Sequence, residues 1–232
     1  MSLFRKSGKI SNQLELVSLH IPKTAGTSFR NILKDVYGAS HVARLDIRRN
    51  TELNGKRLNS SKLKSGIKVI HGHFSYQKLI DQFDIREETP VITWLREPAE
   101  RVISNYYYLD KILRKELNEE KKDLNILAKM EKTLLEYAAT EANRNRMSKF
   151  LEGITPEDFF FIGFTNHYEE DLAVLARLLN WDKYSLIKHN ITGQKPDVDA
   201  STLEQIKALN EADYDIYNRA LKIREERIKT SI

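Results

Sequence analysis

A short loop of small and hydroxylated residues with a single lysine is the stretch best suited to chemistry. Residues 22–28 read Pro-Lys-Thr-Ala-Gly-Thr-Ser, between a strand-like and a helix-like segment. Backbone N–H groups at the start of a helix, together with the helix dipole, favour a bound anion. Lys23 adds a full positive charge, and Thr24, Thr27 and Ser28 add hydroxyl donors. The loop therefore indicates a phosphate site, with a plain turn that carries a surface lysine as the alternative.

The position of the lysine distinguishes this loop from a Walker loop. The Walker motif places its lysine after the glycines and its next Ser/Thr on Mg²⁺, whereas here Lys23 precedes Gly26. The order resembles the 5′-phosphosulfate loop of sulfotransferases that use 3′-phosphoadenosine-5′-phosphosulfate (PAPS). The longer run His-Ile-Pro-Lys-Thr-Ala-Gly-Thr-Ser is most similar to the carbohydrate branch of that family, which includes heparan sulfate 2-O- and 6-O-sulfotransferases. The resemblance implies a cofactor-binding loop made of Lys23, Thr24, Ala25, Gly26, Thr27 and Ser28.

A second phosphate motif follows a predicted buried strand. Residues 93–108 resemble the 3′-phosphate motif of the same family, in which an arginine at a strand end and a serine in the next helix bind the cofactor. The matching residues are Arg96 and Ser104. A guanidinium offers a planar fork to phosphate oxygens, and a hydroxyl adds a directional donor. Arg101 is expected on the helix surface, with a second cation as the alternative.

The third motif is His71-Gly72-His73, at the end of another predicted strand. Neutral imidazole accepts a proton near neutral pH, so an acid–base role fits better than zinc, for which no spacing supplies a third ligand. The resemblance to heparan sulfate 2-O-sulfotransferases implies that this segment supplies the catalytic base. His73 is the expected base and His71 a supporting or acceptor-orienting residue, although the sequence leaves their order open. Lys23 would stabilise charge on the leaving phosphate oxygen, without a metal.

A late loop over residues 188–196 resembles the segment that closes over the nucleotide in the family. Thr192 and Lys195 are its expected cofactor contacts, and an ordinary surface turn is the alternative. The helical region 110–142 carries no motif of the family, and the helical segment at about 110–150 could form part of the acceptor site.

Hydrophobic periodicity supplies the elements that must position these motifs. Strands are predicted at 14–21, 42–47, 67–70, 90–95 and 159–164, with a candidate at 184–188. Helices are predicted at 29–36, 76–83, 98–113, 124–139, 143–151, 168–179 and 201–228. Residues 48–66 are expected to form a surface loop, and Ser201 with Glu204 to form a capping box. Strands separated by helices predict an α/β, P-loop-like three-layer fold with a central, mainly parallel sheet flanked by helices.

Composition limits the class of protein. The 232 residues fit a single sulfotransferase domain over 1–232, and the absence of cysteine excludes disulfides and thiolate chemistry. No apolar run is long enough for a transmembrane helix, and the N-terminus lacks the apolar core of a signal peptide. The related animal enzymes are Golgi membrane proteins, so a cytoplasmic, bacterial-type member without a membrane partner is expected. Its oligomeric state is left open.

Three functions follow from these residues. The first is a sulfotransferase that moves a sulfuryl group from PAPS to a hydroxylated, carbohydrate acceptor and releases PAP, the desulfated cofactor. The second is a P-loop kinase of a small molecule, against which stand the missing Walker order and the lack of an evident Mg²⁺-binding aspartate. The third is a non-catalytic polyanion-binding protein, which the net charge of +5 supports. Its cations are spread along the chain, so no nucleic-acid partner is expected.

Overall fold

The computed structural model describes residues 14–59, 63–117, 132–185 and 196–230, without the side chains of 114–117. Its strands are β1 Leu16–Leu19, β2 Val42–Ile47, β3 Thr51–Leu53, β4 Lys56–Arg57, β5 Val69–His73, β6 Val91–Leu95 and β7 Phe161–Phe164. Its helices are α1 Gly26–Tyr37, α2 Tyr76–Gln82, α3 Pro98–Leu117, α4 Leu134–Ala139, α5 Arg146–Phe150, α6 Tyr168–Leu178, α7 Ala200–Ala208 and α8 Glu211–Thr230.

The seven strands form one sheet in the order β4-β3-β2-β5-β1-β6-β7. Strands β2, β5, β1, β6 and β7 pair in parallel, and only the β3 and β4 pairings are antiparallel. One apolar layer packs α1 and α6 against the sheet, and a second packs α2, α5 and α8 against the opposite face. The predicted three-layer α/β fold with a mainly parallel sheet is therefore confirmed. Within the described ranges, no helix combines the length and apolarity needed to cross a bilayer.

The expectation of a plain loop over residues 48–66 is wrong, because the segment contains the antiparallel hairpin β3–β4. Its turn is Asn54-Gly55, where both residues have positive φ, 53° and 77°. Asn-Gly is the dipeptide that two-residue hairpin turns of this kind favour. The Asn54 side chain also accepts a hydrogen bond of 2.8 Å from the Arg44 backbone N–H. The hairpin thus continues the sheet beyond β2.

The C-terminal helix also differs from its prediction. It is two helices, α7 and α8, separated by Leu209 and Asn210. The N-cap of α7 is Asp199, whose carboxylate accepts the Thr202 N–H at 2.9 Å, and not Ser201. Aspartate is at least as good an N-cap as serine, so the helix begins just before its predicted start.

Other predicted bounds fall partly outside the described residues. Of the helix predicted at 124–139, the described part is α4, which starts after a capping box between Thr133 and Glu136. Helix α3 runs to Leu117, past the predicted end at 113. Tyr184 and Ser185 are not in a strand, and the rest of the candidate strand at 184–188 lies outside the described residues.

Candidate functional site

The three motifs meet at one edge of the sheet because their strands are neighbours. Strand β1 lies between β5 and β6, and all three run parallel. The phosphate loop follows β1, the histidine motif ends β5, and Arg96 follows β6. The carboxyl ends of parallel strands are where ligands bind in open α/β sheets. The topology therefore gathers residues that are far apart in the sequence.

The phosphate loop has an unusual backbone. Lys23 and Ala25 both have positive φ, 75° and 62°, a conformation that side chains other than glycine seldom adopt. Ala25 is the N-cap of α1, and its methyl group cannot accept a hydrogen bond from the helix start as a serine or aspartate would. Strain of this kind concentrates at ligand-binding sites. The backbone is arranged as an anion cradle at a helix N-terminus.

The loop hydroxyls do not all face the same way. Thr24 is fully buried, and its hydroxyl donates to the Ile21 carbonyl at 2.8 Å. This hydrogen bond stabilises the turn of the loop. Thr27 is exposed, and Ser28 is 8% exposed. Thr27 is therefore the hydroxyl most open to a ligand from solvent.

The second phosphate motif brings its two predicted residues into contact. The Arg96 guanidinium donates to the Ser104 hydroxyl at 3.2 Å, although the two residues are eight positions apart. Ser104 is fully buried, while the Arg96 side chain keeps 20% of its area exposed. Arg96 also pairs with Glu100 at 3.3 Å, one helical turn along α3. The partly exposed guanidinium lies next to this buried hydroxyl, an arrangement that suits a phosphate with several acceptor oxygens.

The predicted surface position of Arg101 is wrong. Arg101 is 1% exposed, and it donates to the Asn143 carbonyl at 3.1 Å. Burial lowers the pKa of Arg101 to about 10, and the negative charge of Asp213 partly opposes the change. The side chain is on the inner face of α3, where it holds the turn between α4 and α5. It is a structural cation and is not open to a ligand.

The His73 ring is oriented by a backbone carbonyl. Its Nδ1 lies 2.8 Å from the His20 carbonyl oxygen. A carbonyl can only accept, so Nδ1 carries the proton and Nε2 carries a lone pair. Burial lowers the pKa of His73, while the His20 carbonyl and the Asp46 carboxylate oppose this change. The ring is therefore neutral at pH 7, and Nε2 is its proton-accepting nitrogen.

His71 occupies a different environment from His73. It is 3% exposed, and its Nδ1 shares a hydrogen bond of 2.9 Å with the Ser18 hydroxyl of β1. Burial lowers the pKa of His71 to about 3, and a hydrogen bond with the Gly26 backbone opposes this lowering. The ring thus ties β5 to β1 and to the phosphate loop. The sequence left open whether His71 is the base or a supporting residue, and this geometry suits the supporting role.

His20 belongs to the same cluster, although the sequence offered no spacing that singled it out. Its ring stacks on those of His71 and His73, with centroids 5.0 and 4.4 Å apart. A Cβ added at Gly26 would lie 1.9 Å from His20 Nε2, so the ring packs directly on the helix start. The sequence signal that could have identified His20 is its position between β1 and the phosphate loop. Burial is the largest cause that lowers the pKa of His20.

Gly72, between the two motif histidines, is needed for space. A Cβ at this position would meet the Leu45 carbonyl oxygen of β2 at 1.8 Å, and that atom belongs to the backbone. No side chain can therefore replace Gly72 without separating β5 from β2. Glycine in a strand often marks such a close approach. The two histidines that flank Gly72 share one face of β5, with His71 buried and His73 at the end of the strand.

Charged and aromatic residues lie near His73. The Asp46 carboxylate accepts the His73 backbone N–H at 3.3 Å and pairs with Arg44 at 2.7 Å. Arg44 and Arg48 both act to lower the pKa of His73 through their positive charge. Phe150 of α5 meets the ring edge-on, with centroids 6.3 Å apart. Arg44, Arg48 and Asp46 therefore form a rim near the base candidate, with two positive charges against one negative charge.

Helix α5 is fixed in place by a buried carboxylate from α8. Asp213 is fully buried and accepts the N–H groups of Met147 and Ser148 at 3.0 and 2.8 Å. A carboxylate at a helix N-terminus satisfies orphan donors and complements the dipole. The contact explains how Phe150, at the far end of α5, is held beside His73.

The late-loop candidates Thr192 and Lys195 lie outside the described residues. Among the residues that the structure describes, no group of three or more His, Asp or Glu side chains is placed to hold a metal ion.

Comparison with known proteins supplies the family. Human heparan sulfate 2-O-sulfotransferase 1 is 30% identical over 45% of this chain and 32% of its own length. The Gallus gallus protein of the same name is 33% identical over 38% and 27%. The chain thus spans about a third of the length of these curated relatives. A mouse sulfotransferase solved in complex with PAP is 12% identical, with a TM-score of 0.40 over 85% of this chain and 64% of that chain.

A sequence model described as the sulfotransferase family matches residues 9–218. That match extends over most of the 232 residues and includes all three motifs at the sheet edge. This chain therefore belongs to the sulfotransferase family.

Proposed function

We propose that this chain transfers a sulfuryl group from PAPS to a hydroxyl of an anionic carbohydrate, with His73 as the general base. The observation that carries the proposal is the His73 Nδ1 contact with the His20 carbonyl, which leaves Nε2 as a proton acceptor. Family membership supports the reaction class, and the named curated relatives support a carbohydrate acceptor.

The residues present suit PAPS. The left-handed backbone at Lys23 and Ala25 forms a cradle for the 5′-phosphosulfate, with Gly26, Thr27 and Ser28 at the start of α1. Thr24 closes this cradle through its bond to Ile21. Arg96 and Ser104 form a ready-made pair for the 3′-phosphate. Thr192 and Lys195 remain predicted contacts.

The chain's own groups account for the proton and the charge. When bound, PAPS supplies the sulfuryl group, which passes to the acceptor oxygen as its bond to the 5′-phosphate oxygen breaks. His73 Nε2 takes the proton from the acceptor hydroxyl as that oxygen attacks, and the resulting imidazolium keeps its Nδ1–H on the His20 carbonyl. The Lys23 ammonium and the loop N–H groups offset negative charge on the phosphate oxygen. His71 supports the loop from inside the sheet.

The rim around His73 favours an acceptor that already carries negative charge. The Arg44 side chain is 42% exposed, and its partner Asp46 neutralises only part of the local positive charge, to which Arg48 contributes as well. Cations at an open edge attract carboxylate or sulfate groups of a substrate. A sugar acid or an already sulfated sugar fits this rim better than a neutral alcohol.

Several expectations from the sequence accompany this proposal and stay predictions. They are a single domain over 1–232, a bacterial-type cytoplasmic protein, turnover without a metal, and the absence of nucleic-acid and membrane partners. The segment at about 110–150 remains a candidate for part of the acceptor site, and α5 within it already lies beside His73.

The proposal is tested by thermal unfolding with candidate nucleotides. PAP should raise the melting temperature in the presence of EDTA, because a ligand of the native state stabilises it by mass action. ATP with Mg²⁺ should stabilise less, since the Walker order is missing. Transfer of labelled sulfate from PAPS to heparan-type oligosaccharides then tests the reaction itself. Stabilisation by ATP-Mg²⁺ and none by PAP would favour the small-molecule kinase instead.

Replacement of Arg96 should show that this residue recognises the 3′-phosphate. Arg96→Ala removes a charge-assisted contact worth roughly 1.5–3 kcal/mol, so PAP affinity should fall by about ten- to a hundredfold. Adenosine 5′-phosphosulfate lacks the 3′-phosphate and should lose far less. Calorimetric titration of both ligands measures the difference.

Arg177→Ala, which replaces an exposed arginine on α6, is the matched control and should bind both ligands as the parent does. Equal losses for the two ligands in the Arg96 variant would contradict the assignment of Arg96 to the 3′-phosphate.

A further inference from the structure

The Lys23 ammonium lies over the face of an aromatic ring from another element. Its Nζ is 3.9 Å from the centroid of the Tyr108 ring on α3. This distance is well within the range of cation–π attraction. Tyr108 is 45% exposed, so packing of the protein core does not explain the position of its ring.

Tyr108 shares a helix face with the 3′-phosphate pair. It lies four residues after Ser104, and residues at this spacing are neighbours on one side of a helix. Ser104 on that face contacts Arg96. The two preceding tyrosines are placed differently: both are half-buried, and the Tyr106 hydroxyl donates to the Lys132 carbonyl at 2.9 Å. Tyr108, unlike them, is exposed, and this excludes a role for its ring in the core.

We propose that Tyr108 is a positioning residue, whose ring holds the Lys23 ammonium beside the face of α3 that carries Ser104. A ring face attracts an ammonium without neutralising its charge, whereas a carboxylate in the same place would cancel the charge that a phosphate needs. Lysine has a long, flexible side chain, so a fixed ammonium lowers the entropy lost when an anion binds. The proposal rests on the proposed function, since it assigns Lys23 to the phosphosulfate.

The test is a double-mutant cycle on PAP binding and on transfer. Tyr108→Leu should weaken PAP by about three- to tenfold and lower kcat, with the KM of the acceptor unchanged. Tyr108→Phe keeps the ring face and should behave like the parent chain. In a Lys23→Met background, Tyr108→Leu should have no further effect. Leu109→Ala, at the next and similarly exposed position, is the control and should bind PAP normally.

Each contrary result has a distinct meaning. If the parent chain does not bind PAP, the proposed function fails. If the parent binds PAP but Tyr108→Leu binds equally well or more tightly, the positioning role is overturned. An equal loss in Tyr108→Phe would assign the effect to the hydroxyl, and a loss that persists without Lys23 would assign it to direct contact with the nucleotide. Both outcomes overturn the proposal.

Discussion

Replacement of His73 by glutamine should reduce sulfuryl transfer by about 10²–10⁴-fold, the usual effect of removing a general base. Affinity for PAP should change by less than about twofold, because His73 ends β5 and lies outside both phosphate motifs. Single-turnover transfer and calorimetric PAP binding measure the two effects separately. A His73→Gln variant that retained most of its transfer rate would remove His73 from the mechanism.

Two other histidines of the chain, His71 and His41, serve as comparisons. His71→Asn keeps a polar group near Ser18 but loses the buried ring. It should therefore lower the melting temperature, while the folded fraction should keep most of its transfer rate. His41→Ala, where the ring lies on the turn after α1, should affect neither activity nor PAP binding. Loss of transfer in the folded His71 variant alone would move the base to that position.

The pH dependence of transfer gives an independent test of the same base. Neutral His73 is the active form, so the rate should fall as pH drops through its pKa. Because burial lowers this pKa, the fall should occur below the ordinary value of 6.5. Asp46 raises the pKa of His73, so Asp46→Asn, which keeps a hydrogen-bond acceptor for the His73 N–H, should shift the acid limb to lower pH. An unchanged limb would indicate that another group controls the profile.

The sequence predicted those residues of the site whose positions depend on local structure or on the order of the strands. Lys23 and Arg96 each follow a predicted strand, and the predicted parallel order of those strands was enough to place both residues at one edge of the sheet. Arg96 lies just before α3 and Ser104 in the second turn of that helix, a separation that a long guanidinium side chain can span. These relations are local or depend only on the strand order.

The missed features depend on packing between distant segments. Periodicity counts Arg101 as polar, but it cannot reveal that the Asn143 carbonyl lies where a buried guanidinium can reach it. The His20 ring likewise gains its role only when β5 lies beside β1 and brings two further histidines onto its faces. The Asn54-Gly55 turn, by contrast, was readable as a hairpin signal from sequence alone.

Substitution of Lys23 should affect binding and chemistry together, unlike that of His73. Lys23→Ala removes a full charge from a cradle that otherwise uses backbone N–H groups, so PAP affinity should fall. Charge on the phosphate oxygen grows as the sulfuryl group leaves, so kcat should fall further, by roughly 10²–10³-fold. Lys23→Arg keeps the charge but not the compact ammonium that lies over Tyr108, and should recover binding more than turnover.

Single-turnover rates at saturating PAPS separate the two effects. Lys34→Ala, in the last turn of α1 and remote from the loop, is the matched control for lost positive charge and should retain both properties. A Lys23→Ala variant with weakened PAP binding but full single-turnover rate would mean that Lys23 contacts the cofactor equally in its ground and transition states. The developing charge would then be stabilised by the N–H groups at the start of α1, whose orientation is set by the left-handed backbone at Ala25.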